Sequence, residues 1–158
     1  MLFTAPAAAQ QSADFPRRST FIIHLTSSQY ASGLGEYLVP PLERAMAATG
    51  LRYRGDAGAD YAATVQSRSD TGQWLVDGDG RQWLYTREVT VGLSPADADI
   101  DTGGGLRPSF SITAILRTPD ADRVDELNCL ISLAARELAA RYVPAGSVAV
   151  DGNQCARR

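Results

Sequence analysis

Three aspartates occupy alternate positions, Asp97, Asp99 and Asp101, directly ahead of three glycines in the segment PADADIDTGGGLRPS. Alternating carboxylates in a loop can converge on one calcium ion. The EF-hand pattern fails, because Pro108 stands at the twelfth position, where that loop needs a glutamate. A phosphate-binding loop also fails, because a strand and not a helix is expected after the glycines. We therefore predict a solvated connection that contacts a partner through Asp97, Asp99, Asp101 and Arg107, with an irregular calcium site as the alternative.

The only histidine, His24, would have to act as the base of any Ser-His-Asp site. It lies between Ile23 and Leu25 in a β-branched and aromatic run, so it is predicted to be a polar position on the outer face of a strand. Ser27 and Ser28 are near it only in sequence, and no G-x-S-x-G elbow is present. We therefore predict no catalytic residues and no cofactor, with a small hydrolase that uses His24 as the second alternative.

The two cysteines, Cys129 and Cys155, do not have the C-x-x-C spacing of redox motifs. On a helical wheel Cys129 and Leu133 point away from the apolar stripe of the last helix, and the tail SVAVDGNQC can fold back across that side. Val148 and Val150 would then cover Leu133 while Cys155 reaches Cys129. We predict a disulfide in an oxidising compartment, with two free thiols as the alternative.

The charge and the first residues bear on partners and compartment. The net charge is −3, and arginine pairs occur only at 17–18 and 157–158, so no basic stripe can follow a nucleic acid backbone. The start, MLFTAPAAAQ, has Ala7 and Ala9 at the positions of an A-x-A cleavage site and resembles the end of a secretory signal peptide. A disordered leader of a cytosolic protein is the alternative. No stretch is apolar for long enough to span a membrane.

The hydrophobic pattern predicts a signal-peptide remnant and disordered leader at 1–18, followed by a single domain at 19–158. Strand patterns cover 20–26, ADYAATVQSRS, a hairpin and SFSITAILR, with one helix from about residue 40 and another over 121–142. With the hairpin counted as one unit, the order is β-α-β-β-β-α. It predicts an α+β two-layer sandwich, with a mostly antiparallel four-stranded sheet and two helices on one face. The C-terminal tail is expected to pack back on the last helix.

The hairpin is predicted from the turn sequence DGDG, which joins two similar runs, QWLV and QWLY. Asp-Gly between alternating apolar runs is the strongest short-range hairpin signal. Because successive side chains of a strand alternate between its faces, we predict that Trp83, Tyr85, Val89 and Val91 all face the core.

The stretch LERAMAATGLRYRGDAGADYAATVQ, from Leu42 to Gln66, contains a helix ending in glycine, a strand start and an Ala-Asp pair leading into an alternating strand. In this stretch and in element order the chain resembles small periplasmic domains of bacterial envelope proteins. These are the N-terminal domain of TolB and outer-membrane lipoproteins of unknown function. The resemblance implies a periplasmic or secreted protein. The lipoproteins' anchoring cysteine is missing, so membrane attachment is not carried over.

The leading hypothesis is a non-enzymatic exported domain that binds another envelope protein through a sheet edge, a helix face or the 94–108 loop. The alternative is a periplasmic protein that binds a small molecule or calcium, using the aspartate segment and the aromatic residues Trp74, Trp83 and Tyr85. Neither hypothesis includes nucleic acid as a partner.

Overall fold

The structure, a computed structural model, describes residues 11–56, 58–78, 80–96 and 109–156. Along the chain these residues form β1 (Thr20–Ile23), α1 (Ser27–Ala31), α2 (Gly35–Ala48), β2 (Arg52–Tyr53), β3 (Tyr61–Ser69), β4 (Gln73–Asp77), β5 (Gly80–Pro95), β6 (Phe110–Thr118), α3 (Val124–Arg141) and β7 (Gly146–Asp151). A short 3-10 turn, Asn153–Cys155, follows β7. None of the described helices is both long and apolar enough to cross a membrane.

The strands form one mixed sheet in the order β2-β1-β3-β5-β6-β7, and β4 pairs with the first part of β5. β1 is parallel to β2 and β3, and β7 is parallel to β6, whereas β5 is antiparallel to β3, β4 and β6. The α+β class is confirmed. The predicted four-stranded, mostly antiparallel sheet is wrong, because a two-residue strand gives no periodic signal and because part of the tail joins the sheet as β7.

Helix α2 begins earlier than the predicted start near residue 40. Its first residue is Gly35, and Pro40 and Pro41 lie inside it. Each proline removes one hydrogen bond of the helix. Leu38, Pro41 and Leu42 are nevertheless buried, so tertiary packing outweighs the local preference.

The core lies between the sheet and the helices α2 and α3. Strand β6 follows the predicted alternation, because Phe110, Ile112, Ala114 and Leu116 are all buried. The helices cover them with fully buried side chains from two stripes, which are Leu38, Leu42 and Met46 on α2 and Leu130, Ile131, Ala134 and Leu138 on α3.

Residues 11–18, which we predicted to belong to a disordered leader, pack on the domain. The N–H of Ser12 donates to the carbonyl of Ala139 at 2.9 Å. Phe15 is buried, with its ring edge-on to Tyr142 at a centroid distance of 5.8 Å. One buried aromatic ring and hydrogen bonds from Gln11 and Ser12 thus attach this segment to the domain. The signal-peptide residues Ala7 and Ala9 lie outside the described residues.

Candidate binding surface on the β4–β5 hairpin

The predicted partner-contact and calcium residues Asp97, Asp99, Asp101 and Arg107 lie outside the described residues. Within the described part of the chain, no group of three or more histidine, cysteine, aspartate or glutamate side chains is placed to hold a metal ion.

His24 lies just after β1, where its backbone N–H donates to the carbonyl of Ala63 at 2.9 Å and extends the ladder between β1 and β3. The neighbouring hydroxyls cap helix α1. Thr26 Oγ1 accepts from the N–H of Gln29 at 3.2 Å and is 3.1 Å from Ser28 Oγ. Ser28 therefore has a structural partner in the cap, and a hydrolase based on His24 stays an untested alternative.

The hairpin is confirmed. Asp77 pairs with Gly80, and Gly78 in the two-residue turn has a φ of +57°, a conformation that favours glycine. Trp74 lies directly opposite Trp83, so the two indoles are on the same side of the ribbon.

Alternation along β5 defines which side of the sheet carries the tryptophans. Trp83 is an even number of residues from Val89 and Val91, which are fully buried under the helices. The tryptophan side of the hairpin is therefore an extension of the core-facing side of the sheet. The prediction that Trp83, Tyr85, Val89 and Val91 share one face is consistent with this register.

The prediction that Trp83 is in the core is wrong, because the helical layer ends before it. Arg87 lies at the boundary: it is buried, and its Nη1 donates to the carbonyl of Arg123 at 2.8 Å, one residue before α3 begins. Trp83 precedes Arg87 by four residues in β5, which corresponds to a distance of about 13 Å along the strand, away from α3. No sequence pattern within β5 indicates where the covering helix starts.

The uncovered surface consists of Trp74, Val76, Arg81 and Trp83, which we call the aromatic face. Trp74 is 55% exposed, Val76 75% and Trp83 37%. The two indoles meet edge to face with centroids 5.3 Å apart, and the Arg81 guanidinium lies 5.1 Å from the ring centroid of Trp74. Two large rings and a cation are thus held in one exposed cluster.

Asp70 and Gly72 fix the base of this cluster where β3 ends and β4 begins. The Asp70 carboxylate accepts from the N–H of Thr86 at 2.8 Å and from the N–H of Gly72 at 3.0 Å. Gly72 has a φ of +85°, and a Cβ on it would overlap the indole of Trp83, at 2.7 Å from Cε2. The Trp83 ring therefore lies directly against the Gly72 backbone, which only glycine allows.

Gly72→Ala is expected to displace the Trp83 ring and to lower the free energy of unfolding by about 1 kcal/mol or more, since alanine is strained at positive φ. Tryptophan fluorescence reports this change directly, because the only two tryptophans in the chain are in the hairpin. Gly78→Ala is the matched control: its φ is also positive, but a Cβ there meets nothing within 4 Å. Equal spectral changes in both variants would contradict the packing argument.

Acid is expected to loosen the hairpin through Asp70. The N–H of Thr86, with that of Gly72, donates to the carboxylate and holds the pKa of Asp70 below its ordinary value of 3.8. A lowered folded-state pKa stabilises the fold above the unfolded pKa, and this stabilisation is lost as the pH falls through the folded pKa. Tryptophan fluorescence should therefore change below about pH 4 in the wild type. The Asp70→Asn variant should lack this acid-induced change in fluorescence. The control variant Asp56→Asn, which lies outside the hairpin, should keep it.

A buried polar cluster closes the core beside the hairpin and was not predicted. Glu126 in α3 is buried and accepts a 2.6 Å hydrogen bond from Thr118 Oγ1, with Arg123 Nη1 at 3.6 Å. Burial lowers the pKa of Arg87, an effect that the charges of Glu126, Asp122 and Asp120 oppose. Glu126 and Arg87 are the buried charges of this cluster and compensate each other, whereas Asp120 and Asp122 are exposed, so the cluster has a structural role.

The predicted disulfide is present. Cys129 in α3 is bonded to Cys155 in the 3-10 turn, with Cα atoms 5.6 Å apart. Val148 and Val150 of β7 pack against the core cluster that includes Leu133, as the sequence predicted for the tail. The tail therefore contacts the last helix, but it does so as the outermost strand of the sheet.

No known protein family matches the chain, and no curated protein matches it. Among solved structures, it is similar to a minor lipoprotein from Acinetobacter baumannii, with a TM-score of 0.40 and 17% sequence identity over 77% of this chain and 86% of that one. The resemblance to the TolB domain stays a prediction.

Proposed function

We propose that the protein is a non-enzymatic, exported domain that binds another protein of the cell envelope through the aromatic face. The observation that carries this proposal is the exposure of two tryptophans on an extension of the core-facing side of the sheet. Large aromatic side chains that project beyond the core stay in contact with water. They gain the hydrophobic free energy of burial only when a partner covers them.

The aromatic face has the composition of a protein-binding hot spot. Tryptophan and arginine dominate such sites, because they bury a large area with few rotatable bonds or make charge-assisted contacts. Gly72 and Asp70 hold Trp83 and its strand in place before any partner binds, which reduces the entropy lost on association. The surface is thus preorganised.

The same residues specify the chemistry of the partner. The surface is a ribbon whose rings and the Val76 side chain project into solvent, so it fits apolar side chains on a protein surface. Arg81 favours an acidic side chain of the partner at the edge of this contact.

The disulfide supports export. Structural disulfides persist in the periplasm and outside cells, whereas cytosolic thiols are kept reduced. The Cys129–Cys155 bond therefore agrees with the signal-peptide remnant that the first residues predict. In protein recovered from intact envelopes and denatured without a reducing agent, both cysteines should fail to react with thiol reagents, and reactive thiols in that protein would contradict export.

Site-specific photo-crosslinking tests the proposed surface. A photoreactive residue in place of Val76, which is 75% exposed, should give one main protein adduct in intact envelopes. The matched control places the same photoreactive residue at Val143, which is 43% exposed and lies just after the C-terminal end of α3. Absence of an adduct at position 76, or the same adduct at both positions, would contradict binding through the aromatic face.

A further inference from the structure

Strand β7 forms one end of the sheet that the described residues build, and the hydrogen-bonding groups of its outer edge can be assigned. The N–H of Gly146 donates to Ser109 and the N–H of Gly152 donates to Ile115, so the even-numbered residues of β7 face β6. The backbone groups of the alternate residues, Ser147, Ala149 and Asp151, therefore point away from the sheet. No described strand pairs with β7 on that side.

The two ends of the sheet differ in how they are protected. The end strand β2 has only two residues, and one of them is Arg52, so it offers little edge for pairing. Strand β7 has six residues and contains no proline and no basic residue. The disulfide at Cys155 also holds the chain directly after β7 against α3. The β7 edge is thus long, uncharged over its centre and fixed in position.

We propose that β7 pairs with β7 of a second copy of this chain, antiparallel and centred on Ala149. This register sets Ala149 opposite Ala149 and Ser147 opposite Asp151, so every outward N–H and C=O of these residues has a partner. It joins the two sheets into one continuous sheet. The proposal is independent of the aromatic face, which lies on other strands.

The side chains of β7 are self-complementary in this register. Val148 of each copy faces Val150 of the other on the helix side of the sheet, where both valines are half-buried. Directly opposite β-branched residues stabilise a strand pair. On the other face of the sheet, each Asp151 lies opposite the uncharged Ser147 of the other copy, so this register places no like charges directly opposite each other. A pair related by a two-fold axis requires a surface that is complementary to itself, and this register meets that requirement.

Molar mass measured by light scattering over a concentration series tests the pairing. The oxidised wild type should reach about twice 16.9 kDa as concentration rises. Ala149→Pro removes an outward N–H that no hydrogen bond among the described residues uses, so it should leave the monomer folded and abolish the dimer. Ala149→Ser, which keeps the N–H, should still dimerise. A monomeric wild type, or a dimer unaffected by Ala149→Pro in folded protein, would overturn the proposal.

Charged residues at position 149 distinguish a two-fold pair from other assemblies. This second test does not require that β7 tolerates a proline. Ala149 is exposed, and in the proposed dimer it lies opposite itself. Ala149→Asp and Ala149→Arg should each raise the dimer dissociation constant about threefold or more, because like charges then face each other. An equimolar mixture of the two variants should restore dimerisation. Unchanged dissociation constants in both variants, or no recovery in the mixture, would show that Ala149 does not face its own copy.

Discussion

Replacing both cysteines, as Cys129→Ala with Cys155→Ala, is expected to lower the free energy of unfolding by about 3 kcal/mol. The bond joins residues 26 apart in sequence, so it removes a large part of the conformational freedom of the unfolded chain. It also fixes the end of β7 to α3, and hydrogen exchange in β7 should increase most in the variant.

Urea denaturation of the oxidised and reduced wild type measures this contribution. The reduced wild type should unfold with the same midpoint as the double variant, and a reducing agent should not change the variant. A difference of less than about 1 kcal/mol between oxidised and reduced protein would show that the bond does not constrain the unfolded chain.

Trp74→Ala is expected to weaken binding of the protein captured at position 76 by at least tenfold, and Trp83→Ala should have a similar effect. Loss of a central tryptophan from an interface commonly costs about 2 kcal/mol or more. Trp74→Ala should lower the free energy of unfolding of the isolated domain by less than it lowers the free energy of binding. The reason is that its indole is 55% exposed and its ring pair contributes only about 1 kcal/mol.

The matched control for this prediction is Tyr37→Ala on α2. Tyr37 is 54% exposed, so the substitution removes an aromatic ring of nearly equal exposure from another surface. Titration calorimetry with the captured protein compares the variants, and circular dichroism checks their fold. Equal affinities for Trp74→Ala and the wild type would show that the rings are not the contact.

Local patterns predicted the hairpin and the alternation of β6 well, because both depend on neighbours in sequence. The DGDG turn specified the pairing of Trp74 with Trp83, and Phe110 and Leu116 are buried where the period of two placed them. The disulfide was also predictable, since Cys129 lies away from the apolar stripe of its helix.

The errors concern contacts between distant segments. The exposure of Trp83 depends on where α3 begins, some 40 residues later in the chain, and on Arg87 closing the core at that point. The strand β7 was expected as a tail on the helix, because Val148 and Val150 give too short an alternation to identify a strand. The docking of Phe15 depends on Tyr142, and no local pattern connects them.

The indole N–H signals of the two tryptophans provide the most direct test of binding through the aromatic face. Both tryptophans of the chain lie on that face, so a two-dimensional NMR spectrum contains one indole signal for each and no others. We predict that both signals shift or broaden when the captured envelope protein is added. Unchanged indole signals, with backbone signals shifting elsewhere in the domain, would contradict the proposed function.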